Sequence, residues 1–307
     1  MTSAIKQRLL DFATEIAGSS PEDLTFQHSI MAQCALPAAR PPEGKLSWES
    51  RQGRATLLVE AGKALNPNTG HFEQLGLPYG SKSRLLLMHL NSEAVRRQSP
   101  IIPVEDTMTA FFRRLMGRTQ DGRQANMLKS QLSALAAAQF RMGISGPDSA
   151  LQVNTQIVGA FNLWFEKDDS QRVLWPSTLK LSLDYFESLT KYAVPLDERA
   201  IAALAHSAIA LDIYCWLAQR LHRIAVGKPQ FVAWPLLHEQ FGQGYNRIRK
   251  FRLFMSGILP QIHAVYPDAR FSTDAHGMHL ENSAPPVRKR LVPLAACAIG
   301  RAPTLAI

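Results

Sequence analysis

Gly244-Tyr-Asn246-Arg247-Ile-Arg249-Lys250-Phe-Arg252-Leu-Phe-Met-Ser-Gly-Ile-Leu-Pro-Gln-Ile-His263 carries four cations and no acid. Its apolar residues Ile248, Phe251, Met255, Ile258, Leu259 and Ile262 recur at helical spacing, which predicts an amphipathic helix. At about 100° per residue, Ile248, Phe251, Met255, Ile258 and Ile262 gather on one side. Asn246, Arg249, Lys250 and Leu253 fall opposite, with Arg247 and Arg252 on the flanks. Cations at a helix start oppose its dipole by up to about 0.3–1 kcal/mol each, and an anion docked there relieves the conflict. Arg can grip guanine O6 and N7, and Asn can grip adenine N6 and N7, each with two hydrogen bonds. Asn246 and Arg249 are therefore the candidate base readers, and Arg247, Lys250 and Arg252 the phosphate holders. The plainer alternative is a solvated basic face. Gly257 and Pro260 disfavour helix, and the proline predicts a kink or a shortened straight part.

The order of elements around this helix gives the fold. Before it come a long apolar helix over Asp197–Ile224 with Asp197 as N-cap, a β-prone Gln230–Trp234, and a short helix Pro235–Phe241 stopped by Gly242. After it, Ala269–Leu280 alternates around a turn candidate at Asp274–Gly277. An earlier stretch repeats the order. Helices are predicted over Pro78–Gln98, Glu105–Met116 and Gly122–Phe140, with a short strand at Pro100–Val104 after the first. Strands follow within Leu151–Phe165 and Val173–Leu183. Helix, short strand, helix, helix, hairpin is the order of the winged-helix variant of helix-turn-helix. The predicted fold is α+β, mainly helical, with tandem winged-helix domains at 71–192 and 193–282. Residues 1–70 read as an N-terminal helix followed by an irregular, Pro/Gly-punctuated arm or partial layer in which Ala55–Glu60 alone looks like a strand. Residues 283–307 are Pro-rich, then basic, then apolar, and read as a mobile tail.

Composition narrows the function. The 307 residues are 46% hydrophobic, which suits a globular chain. The net charge of +9 and pI near 9.7 suit a polyanionic partner, nucleic acid or an anionic membrane surface. No apolar run reaches the ~20 residues of a membrane helix, and the start of the chain has no signal-like apolar core, so a cytoplasmic location is expected. Cys34, Cys215 and Cys297 stand far apart without a Cys-x-x-Cys pair, which argues against a disulfide framework or a zinc site. Gly76–Ser83 has the wrong spacing for a phosphate loop. His276-Gly-Met-His279 reads as turn and strand rather than a metal pair. No catalytic residue, cofactor or metal is expected, and no enzyme activity.

Four blocks carry a resemblance. They are Phe72-Glu-Gln-Leu-Gly-Leu-Pro-Tyr-Gly80 with Ser83-Arg-Leu-Leu-Leu, Asp106-Thr-Met-Thr-Ala-Phe-Phe-Arg-Arg-Leu-Met-Gly117, Val194-Pro-Leu-Asp-Glu-Arg-Ala200 continuing through Ala210–Leu221, and Trp234-Pro-Leu-Leu-His-Glu-Gln-Phe-Gly242 with Val265-Tyr-Pro-Asp-Ala269. In order, over roughly residues 70–287, they resemble the plasmid-encoded RepA replication initiators. The resemblance implies a bacterial plasmid protein with tandem winged-helix domains. It implies binding to repeated double-stranded DNA sequences at an origin and recruitment of host replication proteins such as initiator and helicase, and it does not imply catalysis. A transcriptional regulator of the same fold is the alternative, distinguished by one inverted repeat in a promoter instead of direct repeats. A membrane-surface or scaffold protein using the basic tail is a third class; no membrane partner is expected.

The third helix of the first unit places Ala125, Leu128, Leu132 and Leu135 inward, and Arg123, Asn126 and Ser130 outward, with Lys129 flanking. Two readings stand open: a second DNA reader, or a homodimer layer in which the small residues of Ser133–Ala138 allow close packing. Lys82 and Arg84, near a helix start, are candidate phosphate contacts. So is Arg270 from the second hairpin, with Lys167 and Arg172 as counterparts in the first. Arg113, Arg114 and Arg118 either support backbone contact or solvate their helix.

Overall fold

The computed structural model of the chain describes residues 3–66, 69–116, 122–146, 150–160 and 178–288. The N-terminal segment is more ordered than its composition suggests. Helix α1 (Ser3–Gly18) is followed by β1 (Leu24–His28), α2 (Ser29–Gln33), β2 (Ser47–Gln52), β3 (Ala55–Glu60), β4 (Lys63–Leu65) and β5 (Phe72–Gln74). Of the two readings, irregular arm or partial layer, the structure shows a strand-rich layer. Strand β3 has the bounds expected for Ala55–Glu60, whereas the other strands escape local reading because their partners are distant or their faces are wet. β2, Ser-Trp-Glu-Ser-Arg-Gln, is an edge strand that buries only Ser50, so it shows no hydrophobic alternation.

Next come α3 (Gly80–Arg97), β6 (Ile101–Pro103), α4 (Glu105–Met116), α5 (Gly122–Ala137), β7 (Gln139–Ser145), β8 (Ala150–Gln156), β9 (Val158–Ala160), β10 (Thr178–Leu181) and α6 (Leu183–Tyr192). Strand β7 was not foreseen in the sequence. It inserts between β3 and β8 in an antiparallel sheet of order β2-β3-β7-β8, tying the N-terminal layer to the first unit. Helix α6 was also unforeseen; Ser182 caps it by accepting from the Tyr185 amide.

The remaining elements are β11 (Ala193–Asp197), α7 (Glu198–Leu204), α8 (Ala208–Arg220), β12 (Gln230–Ala233), α9 (Trp234–Phe241), α10 (Ile248–Val265), β13 (Phe271–Thr273) and β14 (Gly277–Leu280). Asp197 caps α7 by accepting from the Arg199 amide at 2.9 Å. The single helix expected over 197–224 is instead two. Ser207 caps α8 by accepting from the Ala210 amide at 3.2 Å, and α8 ends in a 3-10 turn at Leu221–Arg223. A stretch buried on nearly every side has no amphipathic period to mark such a break.

Two three-stranded antiparallel sheets share one order, β6-β10-β9 and β12-β14-β13. Each takes its first strand before a helix pair and its last two after it. The halves meet where β1 pairs antiparallel with β11, Phe26 opposite Pro195. Contacts then repeat in matching places. Arg114 on α4 donates to Glu198 at the start of α7 at 2.8 Å, and Gln240 on α9 donates to the Gln33 carbonyl at the end of α2 at 2.8 Å. One cluster of buried apolar residues runs through both halves, from Leu9 through Leu57, Leu86, Phe112 and Trp216 to Leu280. The architecture is mixed α and β with helices predominant. Among the described residues, no helix is long and apolar enough to cross a membrane.

Candidate nucleic-acid interface

Helix α10 buries Phe251, Met255, Ile258, Leu259, Ile262 and Val265. Ile248, expected inward, is 39% exposed. The helix begins at Ile248, so Asn246 and Arg247 precede it and the helical projection does not apply to them; Arg247 is an N-cap whose side chain makes no capping bond. Turn chemistry delays the start. The Tyr245 amide donates to the Gly242 carbonyl at 2.8 Å, and a ring nitrogen of His238 lies 2.7 Å from the Tyr245 carbonyl. The Tyr245 ring packs on Phe254 with centroids 5.0 Å apart. The loop that carries Asn246 and Arg247 is therefore anchored on both sides.

Asn246, Arg247, Arg249, Lys250 and Arg252 are all exposed. Among the described residues none of Arg247, Arg249 and Lys250 forms an ion pair. Arg252 lies over the Trp234 ring, 5.4 Å from its centroid, which holds it against the start of α9. The helix continues through Pro260 to Val265, with the Gln261 side-chain amide donating to the Gly257 carbonyl at 2.7 Å. The proline therefore does not end the helix.

The β13–β14 hairpin turns on Asp274. Its carboxylate accepts from the His276 amide at 2.7 Å and the Gly277 amide at 2.9 Å, and lies 2.8 Å from His279 Nε2. The His279 bond, aided by those amides, holds the carboxyl well below the usual carboxylate range. A Cβ at Gly277 would sit 2.2 Å from the Val232 carbonyl oxygen, so the close approach of β14 to β12 requires glycine there. Among the described residues, no group of three or more His, Cys, Asp or Glu could hold a metal. Arg270, exposed at the base of the hairpin, donates its amide to Ser283 Oγ at 2.9 Å.

In the first unit, α5 buries Ala125, Leu128, Leu132 and Leu135, as its spacing predicts. Arg123, Asn126 and Ser130 line a groove of about 810 Å³ together with Lys82 and, from the second unit, His206 and Ala208. Lys82 donates from Nζ to Gln124 Oε1 within that groove. Lys129 stands half-buried beside it. The small residues Ala134, Ala136, Ala137 and Ala138 are buried inside the chain, and a Cβ at Gly62 would meet the Ala137 carbonyl oxygen at 1.8 Å. The close packing that these residues allow is used within the chain.

Arg84 is corrected. Its side chain is 3% exposed, with Nε 2.6 Å and a terminal nitrogen 2.7 Å from the Asp212 carboxylate. It also donates to the carbonyls of Leu36, Pro37 and Gly80. Burial raises the Asp212 carboxyl, and the Arg84 charge opposes that rise. Arg84 is a buried bracket between α3 and α8, with no surface to offer phosphate. Arg113 and Arg114 are both exposed, and Arg114 is engaged by Glu198. Arg118, Lys167, Arg172 and the tail beyond Arg288 lie outside the described residues.

The family model described as plasmid encoded RepA protein matches residues 77–235, just over half of the chain, and the chain belongs to that family. The match covers both halves but stops short of α10. Two crystal structures of domains 2 and 3 of RctB, one of them of selenomethionine derivatives, are similar in fold. Their identities to this chain are 11% and 10%, each with a TM-score of 0.52. Each covers 83% of this chain, and the matched parts are 98% and 97% of those chains. No curated protein matches the chain.

Proposed function

We propose that this chain is a plasmid replication initiator that binds repeated double-stranded DNA sequences at its origin. The observation that carries the reading is the exposed, acid-free, cationic start of α10, presented beside a β-hairpin in a member of the RepA family. In this reading α7 through β14 form one winged-helix domain, over 193–282. Helices α3, α4 and α5 with β6, β9 and β10 form the other, within 71–192. Arg249 and Asn246 read base edges; Arg247, Lys250 and Arg252 hold phosphates, joined by Arg270 from the hairpin. The groove holding Lys82, Arg123, Asn126 and Ser130, with Lys129 beside it, is a second contact about one helical turn of DNA away. Several protomers on adjacent repeats would bend the duplex, at about 1–6 kcal/mol per 20–30 base pairs, and present it to host replication proteins. The protein acts in the cytoplasm, by binding rather than catalysis, and also represses its own promoter.

The test is selection of duplexes from a random DNA library by wild type and by Arg249→Ala, with affinity then measured against salt. A motif of around two helical turns that relaxes at one position in the variant is the expected result. A steep fall of log affinity with log salt would count the phosphate contacts. Recovery of no motif, or of a single inverted repeat, would sink the initiator reading.

A further inference from the structure

Leucine at position 253 has no counterpart in the packing of the fold. Leu253 is 75% exposed, one turn after Arg249 and one turn before Gly257, on the side of α10 opposite the buried Phe251, Met255, Ile258 and Ile262. A single exposed leucine is ordinary on a protein surface. Its neighbour on the same ridge makes this one unusual. Glycine weakens a helix interior relative to alanine, yet a Cβ at Gly257 would meet nothing within 4 Å and its φ is not in the left-handed region. Neither crowding nor backbone geometry calls for glycine there. The ridge Arg249–Leu253–Gly257 thus offers a cation, an apolar knob and bare backbone in succession, and the helix bears no acid.

We propose that Leu253 reads the C5 methyl group of thymine, and that Gly257 lets one wall of the major groove close against the helix backbone. This rests on α10 being the DNA-facing helix. The thymine methyl is the apolar group that the major groove presents on a base edge, and an exposed leucine beside two cations complements it. Four residues of helix rise about 6 Å. The methyl-sensitive thymine therefore lies within about two base pairs of the position that depends on Arg249.

The test uses the full chain and the motif selected by wild type. Each thymine of that motif is replaced in turn by deoxyuridine, which lacks only the methyl group. Wild type is expected to lose about fourfold in affinity at one or two positions, the value of burying one methyl group. Leu253→Ala is expected to be indifferent to uracil at those positions and to unfold in urea like wild type. A wild type insensitive to uracil everywhere would overturn the inference and leave DNA binding by α10 standing. Retained uracil sensitivity in Leu253→Ala, with altered sedimentation of the free protein, would overturn it in favour of self-association. Failure to select any motif would remove the DNA reading itself, and the inference with it.

Discussion

Arg84 and Arg249 look alike in sequence, each near the start of a helix beside another cation. The fold sends them to opposite fates. Arg249 sits on a helix with one apolar face, so its exposure follows from spacing alone. Arg84 sits on α3, whose residues from Ser83 to Ala94 are all buried. No amphipathic period survives there to say which way a side chain points. Its partner Asp212 lies 128 positions away, beyond any local pattern. The pair has a measurable consequence. Asp212→Asn removes the countercharge and leaves a buried guanidinium, so urea unfolding should show a loss of about 3–5 kcal/mol. The double variant Arg84→Met/Asp212→Leu should recover part of that loss but not all, because the carbonyls of Leu36, Pro37 and Gly80 lose their donor. A loss in the double variant equal to the sum of the losses in Arg84→Met and Asp212→Leu alone would mean that the pair is not coupled.

Most elements were legible where one face is wet; α3, buried from Ser83 to Ala94, was legible as a helix although its facing was not. The bounds of α4 match the sequence reading, and α3, α5, α9, β12 and the final hairpin fall within a few residues of it. The misses have separate causes: β7 is recruited by β3, β2 is an edge, and α7 and α8 are buried nearly all round. The stop of α9 at Gly242 was legible, but the anchoring of Tyr245 on Phe254 that postpones α10 to Ile248 was not. Gly257 separates folding from binding within this element. Gly257→Ala should stabilise the free protein by about 0.5–1 kcal/mol, read as a higher urea midpoint with unchanged slope. The same substitution should weaken DNA binding through the added Cβ. Tighter or unchanged DNA affinity would show that this part of α10 stays clear of the duplex.

At the scale of the molecule, the two like units are joined by more than the chain between them. β1 from the N-terminal layer pairs with β11, α2 packs on α8, and α1 packs on both α7 and α10. One apolar cluster runs through all of them. A fragment of residues 193–288 would leave β11 without its partner and expose the faces of α7, α8 and α10 that the N-terminal layer covers. Such a fragment should lack the slow amide exchange of β11 and α8 seen in the full chain. Native-like protection in the fragment would show that the second unit folds independently.

The sequence by itself determined the amphipathic elements, the repeated order of helices and strands, the basic exposed face of α10, and the likeness to the RepA family. All of these are written in local spacing or in contiguous residue blocks, and local sterics and polarity suffice to express them. Only the tertiary structure decided that the N-terminal layer completes both halves, that Arg84 is buried against Asp212, and that Lys82, Arg123, Asn126 and Ser130 face a groove shared with His206. Those outcomes depend on pairings between residues far apart in the chain. Burial of their shared apolar surface selects them, and no window of sequence contains both partners.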